Sequence, residues 1–143
     1  MKNSALPIFP FLLCLLSFSM FGQADTPLEK KMDQMKKAYK ELSKSIEKPV
    51  ESEKMRYQKL AEELRDLMKE SGKLSPQKTE MIPADQRGAF IEGYQKAINQ
   101  SVATLEALIQ AIQTSNWSEA QKLMALLKQH QKEGHQEYRA ERP

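Results

Sequence analysis

Two imidazoles and six thioethers are the neutral nitrogen and sulfur ligands that residues 25–143 could offer a metal, once Met1 and Met20 are set aside; no thiol accompanies them. His130 and His135 are five residues apart. On a helix that is about 140° of rotation, so they cannot share one ion as an i, i+4 pair does. The run HQKEGH (130–135) also lacks the HExxH order of a zinc protease. His130 is therefore read as exposed or at a helix flank. A histidine and a methionine held on opposite sides of one centre are a different matter: imidazole and thioether are the axial pair of a six-coordinate haem iron. Each residue type also has a plain structural role. Methionine fills helical cores, and a histidine near a helix C-terminus complements the macrodipole. The choice turns on whether the fold brings one of each together.

The chain has 143 residues, but its first 24 read as a secretory signal peptide. Lys2 is followed by the apolar run IFPFLLCLLSFSMF (8–21) and by the small-residue close Gly22-Gln23-Ala24. That run is short for a bilayer span, with Pro7 just before it and Pro10 inside its start, so no stable membrane insertion is expected after cleavage. The single cysteine, Cys14, falls inside it, and Leu13 before it is the wrong residue for lipid attachment. Residues 25–143 thus have no disulfide framework, no cysteine zinc site and no CxxCH haem attachment. Removing Lys2 leaves 21 basic and 19 acidic side chains, a net charge of +2. With both signs interspersed, this balance speaks against nucleic-acid binding.

The elements that must position the ligands are helices. Thr26-Pro27-Leu28-Glu29 reads as a helix start: a cap, a proline at the first position and a glutamate three residues after the cap. Leu28, Met32, Met35, Tyr39, Leu42 and Ile46 then form one apolar stripe that ends before Pro49. A second helix is predicted from about Ser52 to Ser71, with Tyr57, Leu60, Leu64, Leu67 and Met68 inside and Gly72 as its stop. Residues 72–84 form the longest connection. A third helix, from about Asp85 to Thr114, lines up Phe90, Tyr94, Ile98, Val102, Leu105, Ile109 and Ile112. Asn116-Trp117-Ser118-Glu119 repeats the capping pattern, and the fourth helix buries Ala120, Leu123, Met124 and Leu127. No stretch alternates with period two over strand length.

These four helices suit an all-α, antiparallel, up-down-up-down bundle spanning residues 25–143. In that topology the first helix begins, and the fourth ends, at the same end. Continued past Leu127, the fourth helix reaches His135, eleven residues and about 20° from Met124, so His135 is expected to extend the Met124 row into the core. Met32 lies about as deep on the first helix. The two side chains are thus expected at one level, facing each other.

At these residues a family resemblance enters. LEKKMDQMKKAYK (28–40) and EAQKLMALLKQHQKEGHQEYR (119–139) resemble the cytochrome b562 family, and FIEGYQKA (90–97) resembles its aromatic-x-x-Gly-aromatic pattern. The resemblance implies a periplasmic four-helix bundle holding one haem b without a covalent link. It carries the family's ligands onto Met32 and His135, with Met35 as the other candidate sulfur. The ring-stacking pair falls on Phe90 and Tyr94, or on Tyr94 and Ile98, because the third helix is about one turn longer than usual. Gln131 and Gly134 replace larger or charged residues beside the haem.

Met/His ligation implies one-electron transfer at a comparatively high potential rather than oxygen activation or other enzymatic chemistry, since no iron position is open. Leu28, Met35, the Phe90–Tyr94 region and Leu127 are expected to wall the ring. Arg139, one turn past His135, either pairs with a propionate or compensates the helix terminus. Trp117, at the opposite end, reads as a loop anchor. The partners implied are other periplasmic redox proteins, which the sequence does not name. A reading from another class is a haem-free helical chaperone of the cell envelope, suggested by the Lys/Glu/Gln-rich surface and the six methionines.

Overall fold

The computed structural model describes residues 26–140. The proposed signal peptide, Cys14 and residues 141–143 lie outside them. Four helices follow one another: α1 (Pro27–Glu47), α2 (Lys54–Ser71), α3 (Arg87–Gln113) and α4 (Trp117–Tyr138). Among the described residues there is no strand. Helices adjacent in sequence pack side by side and α4 returns to α1, which closes the expected four-helix bundle.

The helix boundaries follow local chemistry. Thr26 Oγ1 accepts from the Glu29 backbone N–H at 3.2 Å, and Glu29 Oε2 accepts from the Thr26 N–H at 2.8 Å, completing the capping box. At α4 only half of that pattern forms: Asn116 Oδ1 accepts from the Glu119 N–H at 3.2 Å. Some boundaries differ from the sequence reading: α3 runs Arg87–Gln113 rather than from about Asp85 to Thr114. A single 3-10 turn, Glu51–Glu53, precedes α2, so the helix starts at Lys54 rather than at Ser52. The 72–84 connection contains a second 3-10 turn, Gln77–Met81, which carries no helical periodicity to announce it.

The far end of the bundle is tied by one carboxylate. Glu51 accepts from Ser115 Oγ at 2.6 Å and from the Trp117 indole N–H at 3.2 Å, and it pairs with Lys54 at 3.0 Å. Trp117 also stands edge-on to Tyr57, with ring centroids 6.1 Å apart. Trp117 is thus the expected anchor of the α3–α4 loop. Ser115 turns that corner in the left-handed region, at φ 54°.

Burial is continuous through the middle and fades toward the other end. Leu42, Leu105, Leu108 and Ile112 are fully enclosed, with Met35, Leu64, Met124 and Leu127 around them. Toward the start of α1 the same apolar stripes continue, yet Leu28, Met32, Leu67 and Phe90 are only half-buried. A second cluster, Tyr94, Ile98 and Val102, forms there against α2 and α4, with Met68 touching both clusters. The core is divided where the sequence placed its ligands.

Candidate functional site

Contacts fix how each helix is rotated. On α4, His130 faces α3: its Nδ1 lies 3.4 Å from Ser101 Oγ. Gln121 faces α1, donating to the Ile46 carbonyl at 3.1 Å. His135 is five residues from His130 and fourteen from Gln121, hence about 140° from the α3-facing direction and about 40° from the α1-facing one. On α1, Tyr39 faces α4, its hydroxyl donating to the Met124 carbonyl at 3.4 Å. Met32, seven residues before Tyr39, falls about 20° from that direction. Both side chains therefore border the seam between α1 and α4.

The same contacts give the axial register. Ile46 lies beside Gln121, and fourteen residues along each antiparallel helix lead to Met32 and His135. Starting from Tyr39 and Met124, the seven-residue walk to Met32 arrives opposite Gln131. Met32 thus stands at the level of residues 131–135. Met35 stands one turn deeper, opposite 128–132, and is buried in the main core.

One expectation needs correction. His135 does not continue the buried Met124 row; it is exposed. The physical reason is the packing of α4. α4 packs extensively on α3, whereas α1–α4 is the least extensive of the four neighbouring helix pairs. The positions of α4 that stay half-buried past Leu127 are His130, Gly134 and Tyr138, on the α3 side. His135 lines the open side. Partial desolvation, and then the Arg139 guanidinium, lower its pKa from the usual imidazole value, which favours the neutral, lone-pair-bearing ring. Arg139 itself is exposed.

The aromatic residues of α3 take a partner that the sequence reading did not pair with them. Tyr138 sits between Phe90 and Tyr94, with centroids 5.3 and 5.5 Å away. Gly93 makes room for it: a Cβ there would lie 2.9 Å from the Tyr138 hydroxyl. Tyr94 is buried and donates to the Ser71 carbonyl at 2.9 Å, holding the end of α2. Ile98 and Tyr94 share the second cluster, while Phe90 is half-exposed at its rim. The Phe90-x-x-Gly93-Tyr94 spacing was the signal that this helix start meets another ring. Lys78, from the second 3-10 turn, caps the arrangement by donating to the Glu137 carbonyl at 2.6 Å.

The described residues contain no group of three or more His, Cys, Asp or Glu side chains able to hold an ion, and no helix long and apolar enough to cross a membrane. The donor set is instead one thioether and one neutral imidazole on two sides of an open seam, with half-buried Leu28, Leu67 and Phe90 nearby at the same end. These residues fit a flat apolar ring with an axially ligated iron.

A four-helix bundle with such a seam is an architecture that can hold a cofactor between facing helices. A model of the cytochrome b562 family matches residues 27–139, nearly the whole described chain, and the protein belongs to that family. No curated protein and no solved structure matches it. The family binds haem b without a covalent link, and membership makes this a b-type haem protein that carries electrons.

Proposed function

We propose that the protein is a periplasmic one-electron carrier whose haem iron is held between Met32 and His135. The observation that carries the assignment is the shared level of these two residues on the facing sides of the α1–α4 seam. The bound haem supplies a one-electron couple that Met/His ligation places at comparatively high potential. His135 offers a neutral nitrogen, and Arg139 one turn away offers a positive charge to a propionate. Leu28 and Phe90 exclude water from the ring edge, and Met35 packs beneath it. Export through residues 1–24 is supported by their charged start, apolar middle and small-residue close.

The test is hemin titration of the mature protein with spectra of the reduced form. Wild type should give sharp low-spin b-type bands. Met32→Ala should give high-spin iron with a lowered potential, and Met35→Ala should stay low-spin. Low-spin bands persisting in Met32→Ala but lost in Met35→Ala would transfer the ligand role to Met35.

A further inference from the structure

The near-neutral net charge of residues 25–143 hides a segregation. On α4, Lys128 and Lys132 lie within about 20° of the α1-facing direction marked by Gln121, with Arg139 just past the helix end, while Glu119, Glu133 and Glu137 fall on the opposite, α3-facing half. On α1, Lys36 and Lys40 occupy the side turned toward α4, within about 100° of Tyr39 and outward of it. All five cations are exposed, and none forms an ion pair among the described residues. By contrast Lys31, Lys54, Arg56, Arg65, Lys69 and Lys122 are each paired with a carboxylate. On the α1 bank, Asp33 and Glu29 are the acidic groups near the haem-proximal level, and Glu29 is occupied in the Thr26 capping box. Five of the unpaired cations therefore border the seam at which His135 is exposed, while others, Lys59 and Lys96 among them, lie on α2 and α3.

We infer that the α1–α4 seam is a docking face for an acidic electron-transfer protein, engaged through Lys36, Lys40, Lys128 and Lys132. The inference rests on the proposed placement of the haem in that seam, because it makes the shortest route to the iron coincide with the positive rim. Charge complementarity selects the partner: a carboxylate-bearing face is attracted over about a Debye length and oriented by a positive rim. The large exposed apolar side chains, Val50, Met55, Met81 and Leu126, all lie off this face. The rim thus lacks the apolar anchors that insertion into a lipid surface uses, which favours a wet, salt-sensitive, protein-type encounter.

The experiment compares haem-loaded wild type with the seam variant Lys36→Glu/Lys132→Glu and the control Lys59→Glu/Lys96→Glu, which alters net charge equally away from the seam. Reduced protein is mixed by stopped flow with ferricyanide and, separately, with cobalt(III) tris-phenanthroline. At low salt the seam variant should lose about tenfold in rate with the anion and gain with the cation, and the control should change little. Both differences should collapse near 0.5 M salt, where screening falls to a few ångströms. Equal effects from the two variants would overturn the proposal, since net charge alone would then be responsible. A second readout does not need the haem reading: amide shifts of the haem-free protein on adding a glutamate decapeptide should map to residues 36–40 and 128–132 and vanish in the seam variant. Shifts elsewhere refute the face itself, whereas shifts at the seam in protein lacking low-spin iron refute only the ligand assignment. Sedimentation with phosphatidylglycerol vesicles completes the set. Vesicle binding at physiological salt, with no response to the peptide, would give the face to a membrane and sink the protein-partner assignment.

Discussion

The two histidines set the proposed ligand against a structural residue, and the haem-free protein should show the contrast most clearly. His130 is half-buried against α3 and shares a long 3.4 Å contact with Ser101 Oγ. Its truncation to Ala removes packing and a weak hydrogen bond, at a cost of about 0.5–1.5 kcal/mol. For a domain of this size that is a fall in Tm of several degrees. His135 is exposed, so His135→Ala in the haem-free protein should stay within about 0.5 kcal/mol of wild type. Adding haem reverses the order. A ligand present at a hundred times its Kd stabilises the fold by about 2.7 kcal/mol, and a hundredfold loss of affinity removes nearly all of that. Calorimetry of the four samples, two variants with and without hemin, should therefore show His130→Ala lowered in both states but still gaining on haem addition. His135→Ala should match wild type without haem and fail to gain with it. If His135→Ala lowers the haem-free Tm as much as His130→Ala does, its ring is a packing element and the open-seam argument is wrong. An undiminished haem gain in His135→Ala would remove it from the iron.

Other consequences are simpler. Tyr94→Phe removes one of two donors to the Ser71 carbonyl, the Leu74 N–H remaining at 3.1 Å, and should cost about 0.5–1.5 kcal/mol by urea denaturation, with no change in ligation state. Leu105→Ala, at a fully enclosed site, should cost about 2–5 kcal/mol and is read from the same transition. Glu51 is held below the usual carboxylate value by the Ser115 hydrogen bond and then by Lys54. A depressed carboxylate stabilises the fold above its unfolded pKa, and that contribution disappears as pH falls through the lower folded value. Denaturation of wild type and Glu51→Gln should therefore differ most at neutral pH and converge in acid below about pH 4. A difference that widened in acid would contradict that sign.

The capped starts of α1 and α4, the four apolar stripes and the order of the helices were legible because each depends on neighbours within one or two turns. The 3-10 turn at Gln77–Met81 was not, since nothing in five residues distinguishes it from loop. Tyr138 was visible as a residue but not as the ring between Phe90 and Tyr94, because that contact joins two helices far apart in sequence.

The sequence by itself determined the level of Met32 and His135, because helix length, strict antiparallel order and fixed rise per residue leave little freedom along the bundle axis. It did not determine the rotation of α4 about its own axis. A helix with His130, Gly134 and Tyr138 on one edge and His135 on the other can turn either edge inward at nearly equal local cost. Only the packed bundle chooses, by seating α4 against Ser101, Phe90 and Tyr94 of α3 and leaving its α1 side open. That choice exposes His135, sorts the charges of α4 and opens the seam, and it comes from contacts between helices rather than from any pattern within one.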